Sequence, residues 1–264
     1  MSTVLYELSD HVATLTLNRP QSLNALNLAM IDDLRQMSAR AAFDREVRAV
    51  VLLGAGDHFM AGGDLKWFRD QLALSPEERQ LRFEEMIAAV HASILNLKSM
   101  GKPAIAAVQG AVAGFGMSLM MACDLVVAAD NAYFTLAYSN IALSPDGGAT
   151  WSLPRQVGLK QAMEIALLGD RFDAARALDL GLLNRVVPLA QLPVATQALA
   201  QRLAAGPAAA LARTKALLNQ SLATSLETQL HAEQRAFAAC GADPDFSEGL
   251  AAFFERRPAS YDRG

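Results

Sequence analysis

Three stretches of the chain are apolar without any helical period: residues 49–53 (AVVLL), 104–108 (AIAAV) and 125–129 (LVVAA). Each is short and bounded by glycine, proline or charge, which predicts buried strands. Residues 4–8 and 12–17 read as two further strands joined by a turn at Ser9 and Asp10, and residues 132–135 as another. Between them the spacing turns helical. Asn27 is placed to cap a helix over 28–43, and Ser75, Pro76 and Glu78 form a capping-box signature for a helix running to about residue 97. Beyond Gly158 the chain predicts helices at 161–168, 174–180, 191–205, 207–221, 224–240 and 246–255, with a stop at Gly181 followed by a short strand. Strands alternating with helices predict an α/β fold with a largely parallel sheet, then an all-helical C-terminal part.

Two places break this pattern in the same way. Gly110, Gly114 and Gly116 follow the strand at 104–108 and lead into a short apolar helix at 116–123. Gly62 and Gly63 likewise precede a short helical segment that carries Leu65, Trp67 and Phe68. Glycine lets a ligand come close to bare backbone N–H groups, and a helix start adds positive potential, so each loop is a candidate oxyanion site. A tight turn under a packed helix accounts for the same glycines.

Composition narrows the class. A chain of 264 residues, 52% hydrophobic and 19% charged, can bury a large core, and disorder is excluded. A net charge of -4 without runs of Lys or Arg argues against a nucleic-acid partner. The uncharged run from 103 to 123 is long enough to raise the question of a membrane span, but Gln109, Ser118 and three glycines favour a packed core. The opening twenty residues lack a basic segment followed by an apolar one, so no secretory signal is expected. Cys123 and Cys240 show no metal-ligand or disulfide spacing; no metal is expected, and a reducing cytoplasm is the default.

Four segments in order, LNRPQSLNAL (17–26), FMAGGDL (59–65), KPAIAAVQGAVAGFGMSLMMACD (102–124) and SPDGGATWSLPRQVG (144–158), resemble the enoyl-CoA hydratase/isomerase family, the crotonase superfamily. The resemblance implies a crotonase-like spiral of ββα units with a C-terminal helical trimerisation region: an acyl-CoA-binding core over 1–200 and a helical oligomerisation and lid region over 201–264, assembled as homotrimers or hexamers. It implies a coenzyme A thioester as substrate, with no prosthetic group. It also implies that the backbone N–H groups of Gly63 and Phe115 hold a thioester enolate, and that Ala25, Ala61, Asp64, Leu65, Lys66, Gly114, Ser118 and Tyr138 contribute to substrate binding. Phe253 lies in the helix that closes over CoA in this family.

Hydratases of this family carry two glutamates, and the matching positions here are Ser118 and Tyr138. Asp146 matches the single acid of the enoyl-CoA isomerases. One carboxylate can take a proton from C2 and return it to C4, whereas hydration needs activated water and a proton for carbon, so isomerisation is the first expectation. Asp146, in a Pro-Asp-Gly-Gly turn, also has a purely structural reading. A working base there requires apolar surroundings, expected from Phe115, Tyr138 and Trp151, to raise its pKa. Three alternatives stay open: a hydratase; a hydrolase resembling the 4-chlorobenzoyl-CoA dehalogenases, with Asp146 as nucleophile and His91 activating water; and a non-catalytic acyl-CoA binder. A histidine alone on a helix is more often structural.

Overall fold

The computed structural model describes residues 2–261; residues 1 and 262–264, the ends of the two expected segments, lie outside the described residues. In chain order the strands and helices are β1 (Val4–Ser9), β2 (Val12–Leu17), α1 (Leu28–Phe43), β3 (Ala49–Gly54), α2 (Leu65–Asp70), α3 (Pro76–Ser99), β4 (Ala104–Val108), β5 (Ala111–Ala113), α4 (Phe115–Ala122), β6 (Leu125–Ala129), β7 (Tyr133–Thr135), α5 (Ala149–Val157), α6 (Leu159–Leu168), β8 (Phe172–Asp173), α7 (Ala174–Asp179), β9 (Arg185–Val187), α8 (Leu192–Ala204), α9 (Ala208–Ser221), α10 (Leu226–Gly241) and α11 (Pro244–Glu255). The expected α/β class is present. The caps are as the sequence implies: Asn27 accepts from the Met30 N–H, and Ser75 and Glu78 form the capping box.

The main sheet has the order β1-β2-β3-β4-β6-β9 and is parallel except for the β1–β2 hairpin. The hairpin turn sits one residue later than expected. Asp10 and His11 both have positive φ (48° and 62°), the geometry whose twist suits a two-residue hairpin.

Alternate residues of the central strands enter two separate cores. Val50, Leu52, Ala104, Ala106, Val126 and Ala128 face one way, toward α1, α3 and α4. Ala49, Val51, Ile105, Ala107, Val127 and Ala129 face the other way, where α8 covers them with Leu192, Ala200 and Ala204. Cover on both faces is why these strands read as continuous apolar runs. Residue 200 therefore lies inside a helix that packs on the sheet, and the chain leaves the sheet only after α8.

Of a second sheet, β5-β7-β8, the sequence predicts only β7, as the strand over 132–135. β5 and β8 are three and two residues long and look like loop in the sequence. β4 and β6 are each followed at once by one of them, so the chain steps between sheets. This step carries residues 110–116 to the edge of the core. The uncharged run thus folds as two strands and the eight-residue α4, every residue of which is buried. Among the described residues, no helix is long and apolar enough to cross a membrane.

A buried lysine is one of the ties between the C-terminal helices and the core. Lys215 Nζ, on α9, lies 2.7 Å from Asp124 Oδ2 and donates to the carbonyls of Leu97 (2.8 Å) and Lys102 (3.0 Å). Its side chain is only 9% exposed. Lys215→Met is expected to lower unfolding free energy by about 3 kcal/mol, because removing one partner strands the other charge and two carbonyls. Urea denaturation measures this; an unchanged midpoint contradicts it.

Candidate active site

Met60 and Val112 form a parallel bridge, with Ala113 N donating to Met60 O (2.9 Å) and Met60 N to Ala111 O (3.0 Å). Two residues further along, that register sets Gly62 beside Gly114. A Cβ on Gly114 would lie 3.4 Å from Gly62 Cα, so the two backbones are in contact. Both glycines have positive φ, 90° and 52°. The peptides that follow them carry the N–H groups of Gly63 and Phe115. Among the described residues, neither N–H donates to a protein acceptor.

The Gly63 loop is held from its other side. Leu26 bridges to Gly63, with Leu26 N donating to Gly62 O (2.8 Å) and Asp64 N to Leu26 O (3.0 Å). The buried Asn24 fixes residues 23–26 by donating to Ala55 O (2.9 Å) and His58 O (2.7 Å). Arg19 bonds Ala25 O and pairs with Asp64 at 3.0 Å. The LNRP segment is thus a clamp for the glycine loop.

Gly63 and Phe115 both line one cavity of about 670 Å³. Its roof comes from α3, which presents Phe83, Met86, Ile87 and His91 at helical spacing. Phe68 packs under Gly63 and meets Phe83 with ring centroids 5.5 Å apart. Among the described residues, Asp146 is the only acidic one in the lining. Its carboxylate accepts from the Tyr138 hydroxyl at Oδ1, and its main-chain carbonyl accepts from Ser118 Oγ at 2.9 Å. Gly147, with φ 58°, lets the turn lie on Phe115: a Cβ there would come within 2.7 Å of that ring.

Burial holds the Asp146 carboxyl above the ordinary aspartate range, against the opposing pull of the Tyr138 hydrogen bond and the nearby His91 charge. Burial, then the adjacent Asp146 charge, raises Tyr138 in turn, so it stays a neutral donor. The arrangement can accept a proton at a carboxylate beside two uncommitted amide N–H groups, in a largely apolar space.

Of the sequence candidates, Asp146, Gly63, Phe115, Gly114, Ala61, Leu65, Tyr138 and His91 share this cavity. His91 is exposed and sits at its rim. Ser118 is buried behind Asp146 and holds its turn. Ala25 and Asp64 are not in the lining; they stand behind the Gly63 loop in the Arg19 clamp, with Asp64 also capping α2. Lys66 is exposed outside the lining. Phe253 is 77% exposed and borders a separate cavity between α9, α10 and α11.

The expectation that Trp151 shields Asp146 does not hold. Its ring is turned outward under Arg155, 4.2 Å from the centroid, and the residues here that reach the cavity edge are Gly148, the N-cap of α5, and Thr150. Starting from its Gly148 cap, α5 carries Trp151 on its exposed side. Phe83, Met86 and Ile87 were missed by sequence reasoning, although their spacing with His91 marks one helix face.

The chain matches the family model described as enoyl-CoA hydratase/isomerase over residues 7–264. It is 39% identical to a Rhodobacter capsulatus protein named "Probable enoyl-CoA hydratase", covering 98% of this chain and 97% of that one. It is 34% identical to the 1,2-epoxyphenylacetyl-CoA isomerase of Escherichia coli, over 99% and 98% of the two chains. The crystal structure of an enoyl-CoA hydratase from Polaromonas sp. JS666 superposes with a TM-score of 0.92 at 36% identity, covering 98% and 99%.

Proposed function

This chain belongs to the enoyl-CoA hydratase/isomerase family, and from that premise we propose that it is an enoyl-CoA isomerase that moves a double bond along an acyl-CoA. Asp146 takes a proton from C2 of a 3-enoyl thioester. The C–H electron pair passes into the C1–C2 bond, and negative charge collects on the thioester oxygen, held by the N–H groups of Gly63 and Phe115. The electrons return through the conjugated chain as the protonated Asp146 gives the same proton to C4. No atom is gained or lost, and no prosthetic group is needed.

The observation that carries this reading is the single carboxylate in the cavity. Ser118 and Tyr138 occupy the two positions where the resemblance implies paired glutamates in hydratases, and both are committed to holding Asp146. Hydration is the second reading, supported by the names of most relatives. The His91 charge near Asp146 favours a third, hydrolysis of an aryl-CoA, which differs by releasing the acyl group's leaving substituent.

Three further parts of the proposal follow the family. The acyl-CoA core, expected over 1–200, extends through α8, and the helices after it are an oligomerisation and lid region, in a cytoplasmic homotrimer or hexamer without a nucleic-acid partner. The exposed Phe237, Phe253 and Phe254 support burial of α10 and α11 against other copies. Sedimentation is expected to give three or six times 28.2 kDa; a monomer contradicts it. Ala25, Asp64 and Lys66 act from the Gly63 loop and α2 on the CoA side.

The pH dependence has a definite sign. The base works ionised, and burial raises its folded pKa, so activity falls on the acid side at a pH above the ordinary aspartate range. An acid limb at or below that range in a kcat/KM profile contradicts the assignment.

A further inference from the structure

We propose that Tyr138 is a positioning residue for Asp146: its hydroxyl occupies Oδ1, so that Oδ2 alone takes and returns the substrate proton, while Ser118 pins the carbonyl of the same turn. The inference rests on Asp146 being the base.

Tyr138 opens a 3-10 turn that leads to Asp146, eight residues on, and the phenol folds back over that loop. Its ring also lies 4.0 Å from where a Cβ of Gly114 would be, so the same side chain borders the Phe115 peptide. On the opposite side, Ser118, in the second turn of α4, donates at 2.9 Å to Asp146 O. Asp146 is therefore held at two points, its carboxylate by Tyr138 and its main-chain carbonyl by Ser118, and both holders reach it from the elements that frame the Phe115 N–H. A carboxylate free to spin about its own torsion offers either oxygen to carbon in a changing direction; one tied at Oδ1 offers Oδ2 in a single direction. Proton return to C4 rather than C2 depends on that fixed oxygen spanning both carbons.

The hydroxyl also sets basicity. Burial raises Asp146, and the phenolic hydrogen bond opposes it by stabilising the ionised form. Losing it moves the base further up. The titratable groups facing Asp146 among the described residues are Tyr138, from its 3-10 turn, and His91, from α3; α4 contributes only the Ser118 hydroxyl. His91 is the second titratable group facing Asp146, so the comparison is made in a His91→Gln background.

The test is the pH profile of kcat/KM for conversion of a 3-enoyl-CoA, with Tyr138→Phe compared to its parent. Losing a hydrogen bond to the ionised carboxylate is expected to raise the acid limb by about one pH unit or more. kcat should fall about 10-fold at the optimum, with KM nearly unchanged. A merely structural tyrosine would lower activity without moving the limb. Replacing tyrosines by 3-fluorotyrosine, a stronger donor of the same shape, should move the limb the opposite way, and it keeps the test decisive if Tyr138→Phe does not fold. An unmoved limb in the variant that folds overturns the inference while leaving Asp146 as base. Full activity in Asp146→Asn overturns the underlying reading instead.

Discussion

Asp146→Asn is expected to lower the rate of C2 proton exchange on an acyl-CoA by about 10³- to 10⁴-fold while leaving acyl-CoA binding within a few-fold. The amide still accepts the Tyr138 hydroxyl, and the turn remains tied by Ser118, so the geometry survives without a base. Stability gives an independent control. Burial raises the folded pKa of Asp146, so the cost to folding is absent below the unfolded pKa, grows as pH rises toward the folded pKa, and is full above it. The asparagine variant should therefore melt at the same or slightly higher temperature than the parent at neutral pH, with the advantage vanishing in acid. Loss of activity with a lowered melting point would point to damage; full activity would remove Asp146 from the chemistry.

Gly114→Ala is expected to lower kcat by about 10²-fold, through the amide that follows it. Gly114 has φ 52° and ψ -123°, a conformation that L residues rarely adopt, while its surroundings offer ordinary van der Waals room at 3.4 Å. Strain, not collision, is therefore the consequence. About 1–3 kcal/mol of it is relieved most directly by rotating the 114–115 peptide, which swings the Phe115 N–H away. Losing one such donor typically costs about 10² to 10³ in rate. Gly241→Ala, where a Cβ meets nothing within 4 Å, is the matched control and should leave kcat unchanged. Equal rates for Gly114→Ala and the parent would mean that the Phe115 N–H holds no developing charge.

How much of this was legible beforehand differs by element. Runs such as AIAAV and LVVAA announce strands covered on both faces, and Ser75 with Glu78 announces a helix start, because those signals are local. β5 and β8 were not legible. They span three and two residues, and their pairing partners lie far along the chain, so no local period records them. At the site, the glycines of both loops stood out, and the resemblance implied that they act on one oxygen; local pattern alone does not give that meeting, because it depends on the Met60–Val112 register. Tyr138 and Ser118 were visible only as departures from a two-glutamate pattern. Their common hold on Asp146 emerges once the turn after Tyr138 folds back onto α4. Trp151 misled because proximity in sequence to Asp146 says nothing about which face of α5 it occupies.

The most direct measurement is the product partition of the unmodified protein, given a 3-enoyl-CoA and, separately, a 2-enoyl-CoA in deuterated water and followed by mass spectrometry. A single-carboxylate isomerase is expected to interconvert the two double-bond isomers, carrying protium from C2 to C4 in part of its turnovers, with 3-hydroxyacyl-CoA formed at least about 10²-fold more slowly. Formation of 3-hydroxyacyl-CoA at a rate matching or exceeding isomerisation would contradict it.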